Sequence, residues 1–199
     1  MQEQAGAALT STPPLNEPTP AAAPRSEVLR WYVLAVVVTV IADQASKAWA
    51  LGALDAGEGV SLIGDLLSLR VIRNSGAAFS IGDSMTWVMT LVALAVTVVI
   101  LAVTPRIGSS RWSLALGLVL GGSLGNLYDR FFRDPGPLRG HVVDFIDYGG
   151  LFVGNVADIA IVVGAGVLLW LVFTNVGMDG SRPQHVAHRD AEPREDTRG

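Results

Sequence analysis

The chain has 199 residues, of which 50% are hydrophobic and 16% are charged, and its formal net charge is −4. Soluble domains carry about 25% charged residues, so this composition argues against a mainly disordered chain and against a soluble enzyme. Cysteine is absent and only three histidines occur, which excludes a thiol nucleophile, a disulfide framework and a multi-histidine metal site. The small negative charge gives no reason to expect nucleic acid as a partner.

Four apolar segments predict transmembrane helices, at residues 31–54, 85–103, 112–128 and 159–176. The first is the weakest, because Asp43 and Lys47 interrupt it. All four are apolar on every side, as helices surrounded by lipid are. The sequence therefore predicts an all-α integral membrane protein with four transmembrane helices.

Low hydrophobicity predicts a disordered tail at each end of the chain. Residues 1–28 are rich in alanine, proline and threonine, and residues 178–199 are dense in charge. The membrane domain is therefore expected to span residues 29–177.

A small extracytoplasmic β element is predicted between the first two helices. Leu67, Leu69 and Val71 alternate with Ser68 and Arg70, which is typical of a strand. The strand is followed by Asn74-Ser75-Gly76-Ala77-Ala78-Phe79, whose small side chains leave room for an extended peptide along an edge. A turn that simply ends the strand is the alternative.

The distribution of arginine predicts that both termini are cytoplasmic. With that orientation eight arginines lie inside and four lie in the outer loops. The inner set is Arg25, Arg30, Arg106, Arg111, Arg182, Arg189, Arg194 and Arg198, and the outer set is Arg70, Arg73, Arg133 and Arg139.

Polar and ionisable residues within or beside the spans all fall toward the outer face. They are Asp43, Gln44, Lys47, Asn126, Asp129, Arg130, Asn155 and Asp158. Asp43 and Lys47 are four residues apart and can pair, and Arg130 adjoins Asp129 as a second expected pair. Charge in a bilayer costs about 2.5–3.5 kcal/mol per group, so such residues pair, face a cavity or take part in chemistry. Structural bonding between helices remains an alternative for Lys47, Asn126 and Arg130.

Carboxylates are the candidate catalysts, namely Asp144, Asp147 and Asp158. Two aspartates that share one proton can activate water and polarise a carbonyl. Gly149 and Gly150 permit a sharp return of the chain, which can bring Asp144 near Asp158. Spacing alone leaves Asp158 as either a catalyst or a helix cap, since Asn155 stands three residues before it. Asp147 is more typical of a solvated loop acid.

A Ser-His-Asp triad is the competing nucleophilic site. It requires His141 with Ser75, Ser80 or Ser123, and no Gly-x-Ser-x-Gly elbow is present. His141 is more typical of a loop or interface residue.

Five motifs, in order, resemble the signature blocks of the lipoprotein signal peptidases, also called signal peptidase II. They are Asp43-Gln44-Ala45-Ser46-Lys47, Asn74-Ser75-Gly76-Ala77-Ala78-Phe79, the segment 121–130, Val142-Val143-Asp144-Phe145-Ile146 and Asn155-Val156-Ala157-Asp158. The resemblance covers roughly residues 30–173 and leaves out only the two tails.

The resemblance implies a bacterial four-helix aspartyl protease of the inner (cytoplasmic) membrane. Its substrates would be diacylglyceryl-modified prolipoproteins, cut just before the lipidated cysteine, with membrane lipid as a partner and no metal or organic cofactor. It implies that Asp144 and Asp158 are the catalytic dyad and that Asp147 is dispensable. The residues implied to line or brace the site are Asp43, Lys47, Asn74, Asn126, Asp129, Arg130 and Asn155. A transporter or lipid-binding scaffold is the rival class, although the sequence lacks the repeated halves that many transporters have.

Overall fold

The computed structural model describes residues 24–54, 59–76 and 86–181. The helices are α1 Arg25–Ala53, α2 Thr86–Val103, α3 Ser110–Phe132 and α4 Val156–Phe173, with a short 3-10 turn at Thr104–Arg106. The strands are β1 Val60–Ile63, β2 Leu67–Asn74, β3 Val142–Asp147 and β4 Val153–Gly154. Most of the predicted tails lies outside the described residues, but α1 begins at Arg25, before the predicted boundary at residue 28.

Three helices in the described part are long and apolar enough to cross a membrane. They are α1, the segment Thr86–Arg106 and α4. The third predicted span corresponds to α3, which falls short of that standard because glycines, serines and a polar last turn lower its hydropathy. The prediction of a fourth transmembrane helix at residues 112–128 is therefore not confirmed by hydropathy.

Helix α3 packs against α1, α2 and α4. Its glycines allow this close approach: a Cβ at Gly121 would lie 2.7 Å from the Cβ of Thr39, and one at Gly125 would lie 2.5 Å from Oδ2 of Asp43. On the neighbouring face, a Cβ at Gly122 would lie 2.5 Å from the carbonyl oxygen of Ala157 in α4. Small residues let membrane helices meet backbone to backbone, so α3 brings the polar parts of α1 and α4 together.

The four strands form one antiparallel sheet in the order β1-β2-β3-β4. The strand predicted around residues 67–71 is confirmed as part of β2. Strands β3 and β4 come from the connection between α3 and α4, so the prediction of a β element between the first two helices alone is incomplete. The β2–β3 register pairs Ile72 with Asp144, and this places the acid beside the end of β2.

Candidate active site

Asp144 lies on β3, and only 2% of its surface is exposed. Its two oxygens accept hydrogen bonds from two amide side chains, Asn74 Nδ2 at 2.7 Å and Asn155 Nδ2 at 2.6 Å. Asn74 is fixed in turn, because its Oδ1 accepts the backbone N–H of Gly76 at 2.7 Å. The carboxyl is therefore held in one orientation by residues from two other parts of the chain.

Asp158 lies in the first turn of α4, where it completes a capping box with Asn155. Its backbone N–H donates to Asn155 Oδ1 at 3.0 Å, and its Oδ2 accepts the Asn155 N–H at 3.1 Å. Its other oxygen, Oδ1, accepts from Asn126 Nδ2 at 2.9 Å. The cap uses only one of the two carboxyl oxygens. The sequence left Asp158 as either a helix cap or a catalyst, and these two roles are therefore compatible.

A pair of amides joins the two aspartates. Asn155 donates to Asp144 and also to Asn126 Oδ1 at 3.2 Å, while Asn126 donates to Asp158. The return of the chain runs through Gly149 and Gly150, whose φ angles of 63° and 74° favour glycine. The predicted return toward Asp158 is confirmed, and it places both acids in one hydrogen-bonded network.

A fully buried ionic cluster lies beside this network. Lys47 Nζ is 2.8 Å from Asp43 Oδ2 and 2.8 Å from Asp129 Oδ2, and it also donates to Asn126 Oδ1 at 3.1 Å. Each carboxylate also accepts a hydrogen bond from the backbone, Asp43 from the N–H of Ala157 and Asp129 from the N–H of Val143. The cluster therefore ties α1 and α3 to the two backbone segments that carry Asp144 and Asp158. The predicted pairing of Asp43 with Lys47 is confirmed.

Arg130 has different partners from those that the sequence suggested. Its guanidinium donates to the carbonyl oxygens of Asn74 at 3.1 Å and Gly140 at 3.0 Å. The expected pair with Asp129 is wrong, since Asp129 binds Lys47 and accepts from Arg133 Nε at 2.6 Å. Adjacent helix residues point in different directions, so Arg130 instead holds the backbone next to Asn74.

Asp147 is not a solvated loop acid. Only 6% of its surface is exposed, Arg70 Nε lies 2.5 Å from its Oδ2, and its Oδ1 accepts the N–H of Gly150 at 2.8 Å. It therefore fixes the turn that follows β3. None of its hydrogen bonds joins it to Asp144 or Asp158.

Within the described residues, no hydrogen bond joins the side chain of His141 to Ser75 or to Ser123. His141 lines a separate cleft with Arg73 and Arg139. Ser123 is within the helix bundle, where its hydroxyl bonds to Thr97 and to the carbonyl of Ala93. Ser80 and the segment Ala77-Ala78-Phe79 lie outside the described residues.

Two clefts reach the acids, one at Asp144 and one at Asp158. A cleft of about 700 Å³ contains Asp144 and runs along Ile72–Gly76, and a more apolar one of about 380 Å³ contains Asp158 and follows α4 to Val163. Phe152 lines both clefts and stacks on Tyr148 with ring centres 4.6 Å apart. The sequence analysis did not identify this aromatic pair. The signal for it was that Tyr148 and Phe152 stand on either side of the glycine pair at which the chain turns back.

Burial raises the pKa of Asp144 to about 6. The hydrogen bond from Asn74 opposes this shift, whereas the negative charge of Asp158 adds to it. At neutral pH this carboxyl is therefore much nearer to its titration point than an ordinary aspartate, which is a property of acids that exchange protons during catalysis.

The long apolar helices define a multi-pass membrane protein. A solved structure of a bacterial membrane enzyme superposes with a TM-score of 0.61 at 26% identity, covering 72% of this chain and 88% of the other. A second such structure gives a TM-score of 0.62 at 24% identity, with 72% and 93% coverage, and supports the fold.

Sequence comparison then identifies the family. A sequence model described as signal peptidase (SPase) II matches residues 35–174, so the chain belongs to the signal peptidase II family. A lipoprotein signal peptidase from Rhodococcus jostii is 48% identical over 151 residues, which cover 76% of each protein. Another from Mycobacterium avium is 46% identical over 180 residues, covering 88% of this chain and 99% of its relative. The family resemblance inferred from the five motifs is confirmed.

Proposed function

We propose that the protein is an aspartic endopeptidase of the bacterial inner membrane that removes the signal peptide from diacylglyceryl-modified prolipoproteins. It cuts just before the lipidated cysteine. The observation that carries this proposal is the amide network of Asn155 and Asn126, which joins Asp144 to Asp158 in a chain of the signal peptidase II family.

Water and two carboxyls are sufficient for the chemistry. The ionised aspartate takes a proton from a water held between the two acids, and that water attacks the scissile carbonyl. The protonated aspartate donates to the oxygen on which negative charge develops. The raised pKa of Asp144 supports retention of one shared proton in this dyad. No metal or organic cofactor takes part.

The clefts offer separate places for the peptide and for apolar groups. Among the described residues, the strand pairing of β1 with β2 ends at Leu69, so the rest of β2 has no partner strand on that side. An extended peptide that lies there enters the larger cleft and reaches Asp144. Acyl chains of the diacylglyceryl group lie among the helices at the lipid boundary, where apolar side chains are exposed.

In this proposal all four helices span the membrane, with both termini in the cytoplasm. The sheet and the acids then face outward, in agreement with the excess of arginine on the inner side. Helix α3 acts as the fourth span because its neighbours shield its polar last turn from lipid.

The rival class, a transporter or scaffold, uses buried charge to gate or coordinate. Transport sites of this kind usually lie near the middle of the membrane. The buried charges here are gathered beside the sheet, and Lys47 is already neutralised by two carboxylates. Cleavage of a lipidated precursor by purified protein in micelles separates the two classes.

We expect kcat/KM to fall as the pH rises through the pKa of Asp144, about 6 in the free protein. The pKa is raised, so the carboxyl is protonated below this pH and loses the dyad's shared proton above it. Bound substrate excludes more water, so the corresponding fall in kcat lies at higher pH. Initial rates across the pH range measure the fall in kcat/KM and the fall in kcat. A kcat/KM that stays flat from about pH 5 to about pH 9 contradicts the assignment.

We expect a precursor with an unmodified cysteine, or with serine in its place, to be cut far more slowly than the diacylglyceryl form. Burial of an acyl chain contributes about 0.8 kcal/mol per CH₂, so four buried methylenes already correspond to a difference on the order of 100-fold. A gel-shift assay on both substrate forms in one detergent measures the ratio. Equal rates would contradict lipid-dependent recognition while leaving the dyad assignment untouched.

A further inference from the structure

A second polar cleft, with a volume of about 350 Å³, lies next to the proposed active site. Three cationic or potentially cationic side chains line it, Arg73, Arg139 and His141, together with Asp134. Arg73 also lines the cleft that contains Asp144, so the two clefts are neighbours. The three basic residues come from two separate parts of the chain, the end of β2 and the connection from α3 to β3.

The basic side chains of this cleft have no polar partner within the described part of the chain. Arg73, Arg139 and His141 make no side-chain hydrogen bond or ion pair there. Every other cation near the sheet has a partner: Lys47 binds Asp43 and Asp129, Arg70 binds Asp147, Arg133 binds Asp129 and Arg130 binds two carbonyls. Asp134 lines the same cleft but lies within ion-pair distance of none of the three. The arrangement leaves a net positive cleft with free donors.

The position of the cleft in the fold indicates what it binds. Thr86 also lines it and is the first residue of α2, which begins the membrane-spanning segment Thr86–Arg106. The cleft is therefore level with the end of a transmembrane helix, where lipid headgroups lie. Trp87 follows directly and is 46% exposed, as tryptophans at the membrane interface often are. A lipid phosphate would meet the arginines at this depth while its chains remain beside α2.

We propose that this cleft binds the phosphate group of an anionic phospholipid. Arg73 and Arg139 donate to the phosphate oxygens, and His141 closes the side toward β3. The choice of the outer leaflet rests on the orientation in the proposed function, but the binding itself does not depend on peptidase activity. Loss of binding and loss of catalysis are therefore separate results.

The test is titration of the purified full chain in detergent with phosphatidylglycerol or phosphatidylcholine, followed by native mass spectrometry. For the wild-type protein, the affinity of the tightest-bound phosphatidylglycerol molecule is expected to exceed that of phosphatidylcholine. In the double variant Arg139→Gln/His141→Gln, affinity for phosphatidylglycerol is expected to fall on the order of tenfold, with phosphatidylcholine unchanged. Arg139→Glu alone, at an exposed position, provides a second variant if the double variant folds poorly, and it is expected to weaken binding at least as much.

The matched control is Arg106→Gln/Arg111→Gln, which removes two cations from the opposite end of the bundle. This control is expected to keep the tightest phosphatidylglycerol adduct. Unchanged affinity in both the Arg139→Gln/His141→Gln and Arg139→Glu variants would overturn the proposal, and so would an equal loss in the control, which would reflect net charge alone. Inorganic phosphate that competes with phosphatidylglycerol at equal concentration would overturn the lipid assignment and define a general oxyanion site.

Discussion

Asp144→Asn and Asp158→Asn are each expected to lower kcat for a lipidated precursor by on the order of 10³-fold or more. The amide keeps the size of the side chain but cannot exchange the proton that the proposed mechanism moves. Each variant is still expected to insert into the membrane, because the buried ionic cluster that ties the helices together is unchanged. Initial rates on purified protein, with membrane yield measured in parallel, give both quantities.

Asp147→Asn is the matched control for these variants. It makes the same chemical change in the same strand, also at a buried position, but outside the amide network that joins the other two acids. We expect substantial activity and some loss of thermal stability, because the ion pair with Arg70 is removed. An inactive Asp147→Asn together with an active Asp144→Asn would show that the dyad has been assigned to the wrong acid.

Lys47→Ala is expected to destabilise the fold by about 3–5 kcal/mol. The substitution leaves Asp43 and Asp129 buried without their shared cation, and both carboxylates otherwise lie within 2.8 Å of Nζ. It also removes the hydrogen bond to Asn126, a member of the amide network. The melting temperature in detergent and the yield of membrane-inserted protein measure the effect.

Arg133→Ala provides the comparison for Lys47→Ala. Arg133 also binds Asp129, but its side chain is 22% exposed and Asp129 keeps Lys47 when Arg133 is lost. We expect a smaller change in melting temperature than for Lys47→Ala. Wild-type stability of Lys47→Ala with a selective loss of turnover would refute the structural role and would favour direct participation of Lys47 in catalysis.

Features that depend on local sequence were predictable. Apolar length indicated the positions of the four helices, and alternation indicated β2. The spacing of Asp43 and Lys47 indicated their ion pair, because residues four apart share a helix face. The glycine pair at 149–150 indicated the return of the chain toward Asp158.

Contacts between distant parts of the chain were not predictable from spacing. Asp129 is next to Arg130 in sequence, yet its partners are Lys47 from α1 and Arg133 one turn away. Asp147 resembled a loop acid because nothing in its surroundings marks Arg70, on a strand before α2, as its partner. The pairing of β3 with β2 likewise depends on how α3 and α4 bring the two connections together.

The central claim is that Asp144 and Asp158 act as one catalytic unit, and comparison of the two single variants with Asp144→Asn/Asp158→Asn tests it most directly. Rates for all four proteins are measured on one diacylglyceryl precursor under one condition. If the acids act as a unit, the double variant is expected to lose about as much activity as either single variant, because removal of one member already abolishes the shared proton. Losses that multiply in the double variant, or a single variant with near wild-type turnover, would contradict the account.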